Sequence, residues 1–496
     1  MLRFSPNPNL AHLIRWFVWE EDAFKAAREQ DKPVMLFLSA FWCRYCQRMD
    51  EGALSERENM AVLNAYFIAL RAENATRPDI DARYNLNGWP TIAFFTPAGE
   101  LLAACNYLGA DEFKDLLLSV YMSYQQKSPE ERKTATTAPE SVADNRKRPA
   151  ADVLEEITRA IIAQADQVYG GYGRGQKFIQ PAVNEFLLAR YEATQDNVCL
   201  EHVCRTLERM RQGQIYDTEE GGYFRTTTGA DWSQPHREKL LGEHAGLLSN
   251  CIHLLRLTGR TEYARMAEEI IDYLDRKLFD ARRGVFFGCE DFLRRESQES
   301  SGSEFFTIID ECAYSDSNAQ AVCAYLEAAA TLDRPDCRER ALRILEFLWN
   351  ACRDPARGMF HYHDGAPHLA GWLEDQTQVG IALLQAHLAL GDGEYLDHAR
   401  EMADLIVRRC KNPQGGYFDL TDCGMDLRRV RLTDADQNGA AASFFLRLFR
   451  ATGEIQYRRA ARWALDAFGE DVASAGIHAS RFGRALVEQL NTPGSY

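Results

Sequence analysis

No stretch of the chain approaches the roughly 20 consecutive apolar residues that a membrane-spanning helix needs, so no membrane partner is expected. Basic charge is also in short supply. Lys and Arg number 57 against 73 Asp and Glu, for a formal net charge of −16. Nucleic-acid binding depends on neutralising phosphates with Lys and Arg, so a nucleic-acid partner is excluded as an expectation. The opening residues Met1-Leu2-Arg3-Phe4-Ser5-Pro6-Asn7-Pro8-Asn9 lack the apolar core of a signal peptide, and a cytoplasmic location is expected. The 13 cysteines are odd in number and scattered through helical patterns. They offer only one C-x-x-C and no second Cys/His pair to complete a tetrahedral site. Most therefore read as reduced thiols packed as small hydrophobes, and neither a metal nor a cofactor is expected.

What is present is ample material for a core. The 496 residues are 46% hydrophobic and 26% charged, the balance of a globular protein of two or three domains. Chemistry is concentrated in Phe41-Trp42-Cys43-Arg44-Tyr45-Cys46-Gln47-Arg48-Met49. Val34 to Leu38 before it is short, apolar and preceded by Pro33, and reads as a buried strand. A strand, a C-x-x-C and then a helix is the context of a redox pair. The earlier thiol, Cys43, falls at the helix N-terminus, where backbone N–H groups and the helix dipole favour a thiolate.

Around this motif, Trp16 to Gln30 has helical spacing. Ser55 to Tyr66 reads as a helix with a capping box between Ser55 and Glu58, and Phe67 to Leu70 as a strand. Gly88-Trp89-Pro90-Thr91 opens a further strand, followed by a Thr-Pro-Ala-Gly turn, a return strand and a helix from Asp111 to Tyr124. This order resembles the thioredoxin fold, which implies that Pro90 is a cis-proline beside the dithiol. The wording Trp-Cys-x-x-Cys-x-x-Met, Arg77-Pro78-Asp79-Ile80-Asp81 and Gly88-Trp89-Pro90-Thr91 resembles the spermatogenesis-associated protein 20 family. The chain departs from that family at Arg44, Tyr45 and Gln47, where histidines are usual. It departs from ordinary thioredoxins at Phe37, where they bury an acid that helps deprotonate the second cysteine. Trp42, Cys43, Cys46 and Pro90 are the expected catalytic set.

Residues 1–125 are thus read as an α/β thioredoxin-like domain. The polar, Pro- and Thr-bearing segment 126–150 reads as a linker. From 151 to 490 the pattern is helical and repeated. Five Gly–aromatic loops recur, at Gly170–Tyr172, Gly221–Phe224, Gly284–Phe287, Gly358–Phe360 and Gly415–Phe418, each followed by a short extended stretch. Helix openings align at Glu243-His244, Asp316-Ser317-Asn318, Asp375-Gln376 and Asp436-Gln437-Asn438. About twelve helical runs in six hairpins predict an all-α (α/α)6 toroid, similar to the six-hairpin glycosidase and N-acylglucosamine 2-epimerase class. Glu220 to Lys239 and Ala313 to Asn318 extend the resemblance to the spermatogenesis-associated protein 20 family over nearly the whole chain.

In a toroid, Glu243, Asp316, Asp375 and Asp436 surround one mouth, with Tyr172, Tyr223, Phe224, Phe287, Phe360 and Tyr417 as aromatic walls. The same acids also suit simple helix capping, stabilising by about 1 kcal/mol each. His236, His244, His361 and His363 are candidate proton carriers, and His236 and Glu238 lie near Trp232. An enzyme is expected, and three functions stay open. The first is a thiol–disulfide oxidoreductase whose toroid supplies substrate or partner binding. The second is a carbohydrate-active enzyme, epimerase or hydrolase, with a regulatory redox domain. The third is a non-catalytic scaffold. Expected partners are a small molecule, a sugar or a thiol compound, and a redox protein.

Overall fold

The computed structural model describes residues 2–133, 150–296, 303–421 and 431–492. They form two compact units. The first is a mixed five-stranded sheet in the order β1-β3-β2-β4-β5. The strands are β1 (Trp16–Phe17), β2 (Val34–Ser39), β3 (Ile68–Glu73), β4 (Thr91–Phe95) and β5 (Leu101–Cys105). Helices α1 (Glu21–Gln30), α2 (Arg44–Glu51), α3 (Arg57–Tyr66), α4 (Pro78–Tyr84), α5 (Ala110–Gln126) and α6 (Pro129–Lys133) complete it. Strand β2 is buried along its whole length, parallel to β3 and antiparallel to β4. The two-residue period of the strands splits its side chains between two cores. Met35 and Phe37 pack with Cys43, Cys46, Leu63 and Phe113 on one face, and Val34, Leu36 and Leu38 with Phe24, Ile80 and Tyr84 on the other.

Two local expectations fail here. Trp16 and Phe17 do not begin a helix; they pair in parallel with Ala69 and Leu70, and the helix starts at Glu21. Strand pairing of two aromatics outweighs their helical spacing to Gln30. Ser55 does not cap α3 either. Its hydroxyl donates to the Asp50 carbonyl and accepts the Leu10 N–H at 2.6 Å, and the cap position falls to Glu56, which makes no side-chain cap bond.

The second unit holds, among its described residues, α7 (Ala150–Gln164), α8 (Pro181–Thr194), α9 (Asn197–Gln212), α10 (Leu241–Thr258), α11 (Thr261–Tyr273) and α12 (Ser315–Thr331). There follow α13 (Pro335–Ala351), α14 (Leu373–Leu390), α15 (Gly393–Leu405), α16 (Ala435–Thr452), α17 (Ile455–Leu465) and α18 (Ser480–Leu490). The even-numbered helices form an inner ring, each against the next, closed by α18 against α8. They are apolar or small almost all round: α12 buries Ala319, Ala321, Ala324, Ala328 and Ala329. The outer helices are amphipathic, as in α11, whose buried Tyr263, Met266, Ala267 and Ile270 keep three- and four-residue spacing. Tight turns join α8–α9, α10–α11, α12–α13, α14–α15 and α16–α17. Gly259, Gly391 and Gly453 end their helices in the left-handed conformation that favours glycine. The sixth pair is not sequential, because α7 packs against α18. One stretch exceeds its expected length: Cys289–Glu296 and Ser303–Asp310 pair as an eight-residue antiparallel ladder, not a short extended segment. Among the described residues, no helix is long and apolar enough to cross a membrane.

Candidate functional site

Cys43 is the N-cap of α2, and its sulfur accepts the Cys46 backbone N–H at 3.1 Å. The two cysteines are joined as a disulfide with Cα atoms 5.2 Å apart, an ordinary separation for such a bond. Both are nearly closed off from water, at 6% and 3% exposure. The Trp89–Pro90 bond is cis. Trp42 and Trp89, the residues just before Cys43 and Pro90, meet edge to face with ring centroids 5.2 Å apart, which brings the two segments together. Tyr45, inside the motif, is exposed and meets exposed Tyr107 at 5.3 Å.

In the helical unit, most of the repeated polar residues turn out to hold the fold. One polar residue of each inner-helix opening, the second in Glu243-His244 and Asp375-Gln376 and the third in Asp316-Ser317-Asn318 and Asp436-Gln437-Asn438, reaches back to its Gly–aromatic loop. His244 Nε2 accepts the Tyr223 N–H at 2.8 Å. Asn318 accepts the Phe286 N–H at 2.9 Å, Gln376 the Met359 N–H at 2.7 Å, and Asn438 the Tyr417 N–H at 2.7 Å. The amides of the last three return a bond to the same loop carbonyl. Glycine precedes the bonded residue at 222, 358 and 416 with positive φ. A Cβ there would fall 2.9, 2.3 and 2.9 Å from the His244, Gln376 and Asn438 side-chain atoms. The repeated motif is therefore a loop-to-helix staple.

This corrects several expected site residues. His244 is no proton carrier: its Nδ1 faces the Leu240 carbonyl at 2.7 Å, its Nε2 is the staple acceptor, and burial pushes it down to about 4. Tyr223 and Tyr417 are each 1% exposed and belong to the core with Tyr172 and Phe224; they are not walls. Trp232 is also core, its indole N–H donating to the Tyr169 carbonyl at 2.8 Å. His236 is exposed on a two-residue strand beside Thr226. Glu238 is buried in an ion pair with Arg225 at 2.8 Å.

Among the acids of the helix openings, Asp316 and Asp375 come together, and Arg481 joins Asp436 to Glu374, the residue before Asp375. Glycine 242, beside Glu243 at the head of α10, abuts Ser317 of α12. Asp316, His361 and Asp375 place ligand-type atoms within 4.8 Å of one another, and His361 Nδ1 lies 3.0 Å from the Asp375 carboxylate. Arg481 of α18 grips Glu374 at 2.6 Å and Asp436 at 2.8 Å. These contacts link the first turns of α10, α12, α14 and α16. A cavity of about 300 Å³ is lined by Glu185, Glu243, Glu327, Arg447, Arg481 and Arg484, with amides, hydroxyls and apolar side chains, and among the described residues no aromatic side chain lines it.

Burial dominates the electrostatics. It pushes Glu243 up to about 8, with Glu238 adding to the effect and Arg225 opposing it. Asp375 is pushed up to about 6 by burial, against His361 and with Asp316 and Glu374. Asp436 is also raised to about 6 by burial, against Arg481. Glu185 goes the other way. Against burial, the His253 hydrogen bond and the Arg484 charge hold it down to about 2. The helix heads and the cavity thus combine acids that burial raises, Glu243 most, with Glu185, which is held low. Asp316, His361 and Asp375 are the donor set with metal-ligand spacing among the described residues, a trio the sequence reading did not assemble. Arg481, Arg484 and Glu374 were also missed. Glu374 is masked by its neighbour in the alignment of openings, and α18 carries no Gly–aromatic loop to mark it.

The family described as "Thioredox_DsbH: Protein of unknown function, DUF255" matches residues 8–143. Spermatogenesis-associated protein 20 of Homo sapiens is 27% identical over 318 residues, a match spanning 59% of this chain and 40% of that protein. The chain therefore matches less than half the length of this relative. The thiol:disulfide interchange protein DsbD of Yersinia pestis is 35% identical over 89 residues, 17% of this chain and 14% of that one. The solved structure of cellobiose 2-epimerase from Bacillus thermoamylovorans B4167 has a TM-score of 0.55 at 12% identity, covering 68% of this chain and 99% of that one. At that identity the likeness is one of fold.

Proposed function

We propose that this chain, a homologue of the spermatogenesis-associated protein 20 proteins, performs thiol–disulfide exchange through Cys43 and Cys46. The observation that carries the reading is Cys43 at a helix N-cap with the Cys46 N–H on its sulfur. This arrangement stabilises negative charge on the attacking atom. The name of the DsbD relative, similar over 89 residues, points the same way. In the reducing direction the Cys43 thiolate attacks one sulfur of a substrate disulfide. A Cys43–substrate disulfide forms, and the departing substrate thiolate takes a proton from solvent. Cys46 then loses its proton and attacks the Cys43 sulfur. The second substrate thiol leaves, and the two electrons of the dithiol have passed to the substrate. An external thiol or dithiol donor restores the pair. Reduction of a model disulfide such as insulin tests the reading. Wild-type protein should be active, Cys43→Ser inactive, and Cys46→Ser should accumulate a mixed disulfide. Wild-type protein that neither reduces nor oxidises any disulfide would rule the reading out.

A second reading concerns the helical unit. Glu243, buried, raised to about 8 and lining the cavity, and the Asp375–His361 pair at the head of α14 in the same ring suit acid–base work on a small polyhydroxylated ligand. Cellobiose and mannose should raise the thermal midpoint of wild-type protein but not of Glu243→Gln or Asp375→Asn. Among the described residues no aromatic side chain lines the cavity, so such binding depends on hydrogen bonds and weak affinity is the expected outcome.

A further inference from the structure

Beside the dithiol lies a buried ion pair that the exchange steps do not use. Asp50 is 1% exposed and Arg71 6%. They meet through two hydrogen bonds of 2.8 Å each, Nη1 to Oδ1 and Nη2 to Oδ2, the fork-to-fork geometry of a strong pair. Asp50 lies one helical turn after Cys46, and both belong to the buried face of α2. Residues at this spacing have Cβ atoms about 5–6 Å apart. Arg71 comes from β3, where it stands directly across from Phe37 of β2. Its guanidinium lies over the rings of Phe4, Trp16 and Phe37 at 4.5, 5.5 and 4.8 Å. The Ser5 N–H adds a 2.8 Å bond to Asp50.

We propose that Asp50 and Arg71 are positioning residues that set the acidity of the dithiol, most strongly of Cys46, by holding two opposite charges in balance next to it. This inference rests on the exchange reading above. The position on β2 that holds an acid in ordinary thioredoxins is Phe37 here, 0% exposed, and the buried carboxylate comes from α2 instead. Its cation comes from the strand beside Phe37. In a dry core each charge acts on a nearby thiolate with little screening, and the two effects oppose one another. The remaining charges around this site differ in kind. Arg44, Arg48 and Glu51 on α2 are exposed, as is His12. Glu73 is half-buried, accepts the Phe41 N–H and lies near Arg3. Asp81 accepts the Trp89 indole N–H at 2.8 Å and is raised by burial. Tyr45 and Tyr107 are exposed.

The test measures alkylation rates of Cys43 and Cys46, resolved by peptide mapping over a pH series, in full-length reduced protein. The redox equilibrium with glutathione is measured in parallel. Asp50→Asn leaves the Arg71 cation unbalanced and should lower the Cys46 titration by about one pH unit. The same change stabilises the reduced form and makes the pair more oxidising. Arg71→Met should move both readings the opposite way, and the double variant should return close to wild type. Asp50→Asn keeps the shape of the side chain and one acceptor for Arg71. If Arg71→Met does not fold, Arg71→Lys, which keeps the charge but not the two-fold grip, should shift Cys46 upward by a smaller amount. Shifts in the same direction for both single variants, or none in folded variants, overturn the proposal. Alkylation reports thiol acidity whether or not a disulfide substrate is found. Wild-type protein without exchange activity therefore counts against the exchange reading, and unshifted variants of an active protein against the ion pair alone.

Discussion

The two units distribute their chemistry in opposite ways. In the sheet unit the two sulfurs proposed to carry the exchange come from residues three apart in sequence, and one helix start positions both. In the helical unit the candidate residues Glu243, Asp316, His361, Asp375, Asp436 and Arg481 are contributed by separate helices of the ring and one strand. A local site can be recognised from its own wording, because the helix that Cys43 caps is written in the next eight residues. A site assembled by a ring cannot. The repeat that draws attention there, Gly–aromatic followed by a polar helix start, is mainly the device that builds the ring.

The sharpest separation of the units comes from breaking each at its own key residue. Cys43→Ser should reduce disulfide exchange to the uncatalysed background while leaving denaturant stability unchanged. Asn318→Ala should do the reverse. It removes the acceptor of the Phe286 N–H and the donor to the Phe286 and Tyr314 carbonyls. Three buried bonds at roughly 1 kcal/mol each give a loss of about 3 kcal/mol, read as a drop in urea midpoint, with exchange activity retained. Asp316→Asn, two residues away and half-buried, should change stability by no more than about 0.5 kcal/mol. A large loss from Asp316→Asn with a small one from Asn318→Ala would invert the assignment of staple and opening.

These assignments also show what the sequence can carry. The thioredoxin-like order and the ring of paired helices are legible because they rest on periodicity and repetition, which each segment displays without the others. The cis-proline came from resemblance. The acids at the helix heads were legible as a set, but their register was not. Asp316 and Asp436 stand two residues before the staple residue, Glu243 and Asp375 one before it. The offset alone does not sort their partners, because Asp316 lies with His361 and Asp375 while Asp436, at the same offset, meets Arg481. The aromatic walls failed for a related reason: a ring following a left-handed glycine reads equally as exposed or buried, and only the staple sends Tyr223 and Tyr417 inward. Arg481 was illegible because its partners, Glu374 and Asp436, are joined to it only by the closure of α18 onto the ring.

A smaller effect tests the electrostatics of the opening. Glu243 has an ordinary value of 4.5 and a folded one of about 8, raised first by burial. Between these values the folded protein holds a proton that the unfolded chain has released. The stability contributed by this group is therefore fully present below about 4.5 and is lost as pH rises through about 8. Glu243→Gln, neutral at every pH, should flatten that part of the stability–pH curve and gain over wild type on its alkaline side. Thermal midpoints across the series check this. Parallel curves for the two proteins would mean that Glu243 is ionised in the folded state and cannot serve as an acid.

The smallest expected effect belongs to His236, a residue the sequence marked for function beside Glu238 and Trp232. Both of those neighbours serve the fold, since Glu238 holds Arg225 and Trp232 holds the Tyr169 carbonyl. His236 itself is exposed and does not line the cavity. An exposed side chain with no buried partner to lose should tolerate truncation within about 0.5 kcal/mol. His236→Ala should therefore leave both the urea midpoint and any sugar-induced thermal shift at their wild-type values. A variant that keeps its stability but loses the ligand shift would extend the binding surface beyond the ring opening, onto the strand pair at Thr226 and His236. The helical unit would then read its ligand with a loop as well as with its helix heads.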